Sequence, residues 1–167
     1  MRKLLVLLGL VLPSLAFAGP TVLKAKDMGW EVRFDAPATD KVEEQSTPTA
    51  YRYLGTAGKF NLSVFIEAPQ CSGGVSNDDQ LQCFLGRIER VPGLVKQSIR
   101  MAKLPKGVQI SYVTYTPVGE TAVKVLHTHI LFADKGTWGD VHGSVVKPDT
   151  GEIAALLAMA DAFSFTN

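Results

Sequence analysis

The sequence predicts an α+β fold: an antiparallel β-sheet flanked by helices, one set inserted mid-chain and a C-terminal helix packed on the sheet. Three observations predict it. Apolar residues alternate with polar ones in several short runs, the period changes to helical at two places, and the runs after residue 107 are joined by connections too short for anything but antiparallel neighbours. At 167 residues, with 46% apolar and aromatic positions and 17 Lys+Arg against 16 Asp+Glu, the chain has enough apolar side chains for a core, and its length suits one domain.

The start is a separate matter. Arg2 and Lys3 precede an apolar run from Leu4 to Leu12, then Pro13-Ser14 and Ala16-Phe17-Ala18, the layout of a cleaved signal peptide. Residues 1–18 are therefore read as a signal peptide and 19–167 as one exported domain, with the periplasm as its expected location. The run is short against the roughly 20 apolar residues that span a bilayer, and no later segment is apolar enough to be a membrane span. Removing Arg2 and Lys3 leaves 15 basic against 16 acidic side chains, a balance with no basic block, which excludes nucleic acid as a partner.

In the remainder, Trp30 to Phe34 alternates and ends before Pro37, as a first strand does. Tyr51 to Leu54 and Lys59 to Glu67 read as two strands joined by Gly55-Thr56-Ala57-Gly58, with Leu62, Val64 and Ile66 on one face; Glu43-Glu44 reads as a solvated strand or turn. Leu81, Phe84, Leu85 and Ile88 then fall at i, i+3, i+4 and i+7, with Asn77 as N-cap and Gln80 three residues on, so a helix begins there. Asp78 and Asp79 suit that helix start, where the dipole favours negative charge. Pro92 is expected to open a second helical turn carrying Leu94, Val95 and Ile99, closed by Pro105-Lys106-Gly107. Val108 to Thr116, Ala122 to Ala133 and Thr137 to Lys147 form a strand meander. Asp149 and Glu152 start a last helix whose stripe is Ile153, Leu156, Leu157, Ala160 and Phe163.

Two stretches carry a family resemblance: Trp30-Glu31-Val32-Arg33-Phe34-Asp35-Ala36-Pro37, and Asn61-Leu62-Ser63-Val64 in a strand after Tyr51 to Leu54. With the terminal strand hairpin and a helix finishing in Ala162-Phe163-Ser164-Phe165, the chain resembles the PsbP-like superfamily, which shares its fold with Mog-type proteins and with small exported bacterial proteins of the DcrB type. The resemblance implies an α/β/α sandwich used for binding and assembly, with no shared catalytic set.

An exported chain makes its cysteines readable. Cys71 and Cys83 enclose a turn-forming stretch and the start of a helix, and are expected to form a disulfide, worth about 3 kcal/mol in the chain-entropy picture. A redox-active pair would be spaced C-x-x-C. All three histidines lie in the last hairpin: His127 and His129 share a strand face, as do Asp140 and His142. A two-residue turn at Lys135-Gly136 sets His129 opposite His142 and Leu131 opposite Asp140. His127, His129, Asp140 and His142 are then candidate ligands for zinc or another transition metal, or a hydrogen-bonded polar patch. For a hydrolase, Ser144 beside His127 or His142 with Asp140 as orienter is the available set, but no G-x-S-x-G elbow surrounds it. No catalytic set and no resident cofactor are expected. Trp138, after the turn, and the Gly73-Gly74 loop are the candidate partner surface. The expectation that results is a non-catalytic exported protein acting through contacts with another periplasmic or secreted protein, an immunity-type inhibitor of a periplasmic toxin being one form. A metal-binding protein and a small secreted hydrolase are the alternatives.

Overall fold

In the computed structural model, which describes residues 19–167, seven strands form one antiparallel sheet and three form a second. The strands are β1 (Gly19–Ala25), β2 (Trp30–Ala36), β3 (Lys41–Thr47), β4 (Ala50–Ala57), β5 (Phe60–Glu67), β6 (Leu94–Leu104), β7 (Gly107–Val118), β8 (Thr121–Asp134), β9 (Thr137–Val146) and β10 (Ser164–Thr166). Among the described residues two α-helices join them, α1 (Asn77–Ile88) and α2 (Thr150–Leu157). The large sheet runs β3-β4-β5-β9-β8-β7-β6 and the small one β1-β2-β10. The signal-peptide reading of 1–18 lies outside the described residues.

The two sheets stack because each presents an alternating apolar face. Trp30, Val32, Phe34 and Ala36 of β2 are buried against Leu62, Val64 and Ile66 of β5, Leu126, Ile130 and Phe132 of β8, and Val141 and Val145 of β9. Phe132 is central: its ring lies 5.7 Å from Trp30, 5.2 Å from Phe163 and 4.9 Å from Phe165. Its cross-strand partner is Gly139, where a Cβ would fall 2.0 Å from the Phe132 ring, so the aromatic occupies the space a side chain would take. Gly143 makes a similar gap for Leu156 of α2 and for Met159 in the 3-10 turn that follows.

The architecture is therefore a β-sandwich, and the expected α/β/α sandwich with flanking helices is overturned. Three segments account for the difference. Pro92 does not open a helix: Leu94 and Val95 pair with Thr114 and Val113, and β6 runs on, after a register shift, as an edge strand. The β-branched Val95 and Ile99 favour that extended state. The C-terminal helix stops at Leu157, and Ser164 to Thr166 pair with β2, so Phe165 enters the core as a strand residue. Finally, Gly19–Ala25 pairs along β2 and completes a sheet where a helical layer was expected.

Smaller corrections are local. The β4–β5 turn is Gly58-Lys59, with Ala57 opposite Phe60, so Gly55 to Ala57 belong to the strand. Lys41–Thr47 is a solvated edge strand, in line with the reading of Glu43-Glu44 as a solvated strand or turn. The N-cap of α1 is Ser76 with Asp79, one residue earlier than the Asn77 and Gln80 pair. Ser76 accepts from the Asp79 N–H, and Asp79 accepts from the Ser76 N–H. This frees Asn77 to accept from the Ala133 N–H at 2.6 Å and turns Gln80 inward. The Asp149 and Glu152 capping box of α2 forms as expected.

Candidate functional site

Alternation gives the large sheet a second face, opposite the small sheet, and α1 lies across it with Leu81, Phe84, Leu85 and Ile88 on Ile110, Tyr112 and Leu131. The position of the histidines on that face depends on one turn. Lys135 (φ 46°) and Gly136 (φ 78°) form a two-residue turn with both residues left-handed, the arrangement that fits strand twist. His129 consequently stands opposite His142, Leu131 opposite Asp140 and His127 opposite Ser144.

The imidazoles form a stack on that face, running across the strands. His129 and His142 lie 4.0 Å apart at 6°, and Tyr112 of β7 stacks on His127 at 4.9 Å and 14°. Phe84 of α1 meets His129 at 4.5 Å. Two sets of hydrogen bonds run through the stack. In the first, Asp140 accepts from His129 Nδ1–H at 2.9 Å, and the other nitrogen of that ring lies 3.3 Å from the Tyr112 hydroxyl. In the second, Thr114 Oγ1 to His127 Nε2 is 3.0 Å, His127 Nδ1 to His142 Nε2 is 3.1 Å, and His142 Nδ1 to Ser63 Oγ is 3.4 Å. That line joins β7, β8, β9 and β5, and neutral rings satisfy every link with one donor and one acceptor each.

Burial holds these rings neutral. The His127 imidazole is pushed down to about 4, first by desolvation and then by neighbouring His129; His142 is lowered well below its ordinary value by burial, with His129 and His127 adding to it. Tyr112 is raised to about 12 by desolvation and by the Asp140 carboxylate.

The four metal candidates are thus neighbours, but every imidazole nitrogen is already engaged: His127 and His142 with each other, Thr114 and Ser63, and His129 with Asp140 and Tyr112, so none is turned to a common point. Among the described residues no group of three or more His, Cys, Asp or Glu is placed to hold a metal ion. Coordination there would require rings to rotate out of the stack. The hydrolase set does not form a relay either: Asp140 orients His129, not His142, and the serine hydrogen-bonded to His142 is Ser63, not Ser144. Trp138 is not an exposed partner residue; it is 6% exposed, facing α1 opposite Ala133 and Glu67. Gly73 is exposed and Gly74 half-buried, and a Cβ at Gly74 would collide with the Asp79 carboxyl, so the loop is packed on the helix start.

Cys71 and Cys83 are disulfide-bonded, tying the loop after β5 to the middle of α1. Replacing both by serine is expected to cost about 2–3 kcal/mol in urea unfolding; an unchanged midpoint would show that α1 is held by its apolar stripe alone.

Beside this tie is a half-open groove of about 300 Å³ between α1 and the β5–β9 pair. Phe65, Glu67, Gln80, Phe84, Arg87 and Asp140 line it, with Trp138. Gln80 donates to the Gly139 carbonyl at 2.7 Å, yet its own carbonyl oxygen is buried without a partner, as is the Trp138 indole N–H. Buried polar groups are rarely left so. Asp140 and Phe84 belong to both groove and histidine stack. Sequence reasoning missed Gln80, Phe84 and Arg87 as site residues, although their i, i+4, i+7 spacing with a glutamine on an apolar stripe was a usable signal.

No family model and no curated protein matches the sequence. Among solved structures the chain is similar to the crystal structure of LpqN, involved in cell envelope biogenesis of Mycobacterium tuberculosis. The match covers 89% of this chain and 91% of that one, at TM-score 0.52 and 13% identity. At that identity the likeness is one of fold. Among the described residues no helix is long and apolar enough to cross a membrane.

Proposed function

We propose that the protein is a non-catalytic accessory module of the bacterial cell envelope, located in the periplasm, which binds another exported protein by taking a short segment of it into the groove between α1 and the β5–β9 pair. What carries this reading is the groove itself: its walls set the Glu67 and Asp140 carboxylates beside the Phe65 and Phe84 rings, and beneath its surface the buried Trp138 N–H and Gln80 carbonyl oxygen have no partner. The disulfide and the histidine stack hold both walls in place beforehand, which lowers the cost of binding. Three further observations support an envelope role. The first eighteen residues have the layout of a signal peptide, the sequence resembles the PsbP-like superfamily, and LpqN, of similar fold, is an envelope-biogenesis protein. A toxin-blocking, immunity-type role is one form of the same activity. Catalysis is not part of the reading, because the imidazoles are committed to each other and to Asp140, Ser63 and Thr114.

The test is retention of a partner from envelope extract by immobilised protein comprising residues 19–167. The same species is expected on the wild type and on Val42→Lys at the remote β3 edge, and is expected to be lost from Glu67→Lys and from Phe65→Lys, which places a cation in the groove wall. Equal retention on all four proteins, each shown to be folded by circular dichroism, would overturn the groove as the docking site.

A further inference from the structure

We infer that the segment received by the groove is a basic peptide. A lysine or arginine side chain enters toward Glu67 and Asp140, and a small outward shift of α1 opens the buried Trp138 N–H and Gln80 carbonyl oxygen to its backbone amide. The inference rests on the groove being the docking site. Both carboxylates line the groove, and among the described residues neither is paired with a lysine or arginine. Glu67 accepts a hydrogen bond from the neutral Gln70 amide. Asp140 accepts from His129 and keeps 27% of its side chain exposed. A carboxylate offers about four acceptor sites, so both retain free ones. The basic group of the groove does not neutralise them: Arg87 donates to the Gln70 carbonyl at 2.6 Å and lies toward Cys71. Phe65 and Phe84 supply apolar walls for the methylenes of a long basic side chain. The chain already provides an internal example, since the Arg52 guanidinium sits 5.9 Å from the Phe65 ring centre.

The unpaired atoms select a peptide rather than a simple amine. Trp138 needs an acceptor and Gln80 needs a donor. An ammonium group satisfies Gln80 alone and a carboxylate Trp138 alone, whereas one peptide unit carries both a C=O and an N–H.

The probe is a capped tripeptide, Ala-Lys-Ala, against its norleucine and glutamate analogues, followed by nitrogen-15 NMR of the two indole N–H groups. Trp30, buried in the sandwich between Phe132 and Phe165, is the internal control. The lysine peptide is expected to shift the Trp138 indole saturably and leave Trp30 unmoved. The norleucine analogue is expected to bind about tenfold more weakly, and the glutamate analogue more weakly again. In Glu67→Gln the lysine preference should shrink about threefold or more, with norleucine binding unchanged. Equal affinity for the lysine and norleucine peptides, or preference for glutamate, overturns the inference. If Trp138 is unmoved by all three while the extract partner still requires Glu67 and Phe65, the basic-peptide assignment fails alone; if the partner is also indifferent to them, the groove reading fails with it.

Discussion

Urea unfolding at pH 4 is expected to require about 3 kcal/mol less than at pH 7 on account of His127, with His142 acting in the same direction. The sign follows from which state takes the proton. Burial lowers the folded His127 from an ordinary 6.5 to about 4, so between those values the unfolded imidazole is charged and the folded one is not. Unfolding then takes up a proton, and acid drives it. The contribution is complete above about pH 6.5 and is lost as pH falls toward 4. The geometry limits how the stack could adapt: the 3.1 Å contact between His127 Nδ1 and His142 Nε2 has room for one proton, and a second sets two N–H groups face to face. His127→Gln, which keeps a donor and an acceptor without a titrating ring, should flatten the slope of stability against pH in this window. A wild-type protein equally stable at pH 4 and pH 7 would mean that the imidazoles are solvated, and the stack would have to be abandoned. Because Phe84 and Asp140 touch both the stack and the groove, acid should loosen α1 from the sheet before the sandwich core yields.

Truncating Phe132 should do comparable or greater damage by a different mechanism. The ring is fully buried, fills the space above Gly139, and is the contact shared by Trp30 of the small sheet, Phe163 and Phe165. Phe132→Ala removes that apolar area and leaves a cavity between Gly139 and the Trp30, Phe163 and Phe165 rings, at a cost of about 3–5 kcal/mol. The urea midpoint should fall with little change in slope, and Phe132→Leu should recover about half of the loss. A double-mutant cycle with Phe165→Ala should be non-additive, because the two rings share one cavity at 4.9 Å. A loss below about 1 kcal/mol would show that the C-terminal strand does not pack on the large sheet.

How far the sequence reaches is visible in the histidine hairpin. The alternation of Leu126, Ile130, Phe132 with His127 and His129, and the Lys135-Gly136 turn, are local properties, and the structure has the pairing of His129 with His142 that they imply. The Cys71–Cys83 bond was legible for the same reason, since both ends flank one short loop and helix start. Helix α1 was legible from its stripe, with its cap displaced by one residue because Ser76 and Asp79 compete with Asn77 and Gln80 for the same role.

What the sequence alone determined, then, is the central hairpins, from Tyr51 to Glu67 and from Val108 to Val146, the strand at Trp30, the first helix, and which of their residues share a face, because side-chain period and turn chemistry act over a few neighbours. Tertiary structure decided that Gly19–Ala25, Trp30–Ala36 and Ser164–Thr166 meet as a second sheet, that Leu94–Leu104 is an edge strand, and that Gln80, Arg87, Glu67 and Asp140 surround one groove. Those outcomes depend on contacts between residues as far apart as Arg33 and Ser164, whose hydrogen bonds and buried area exist only once the chain has folded, so no local pattern records them.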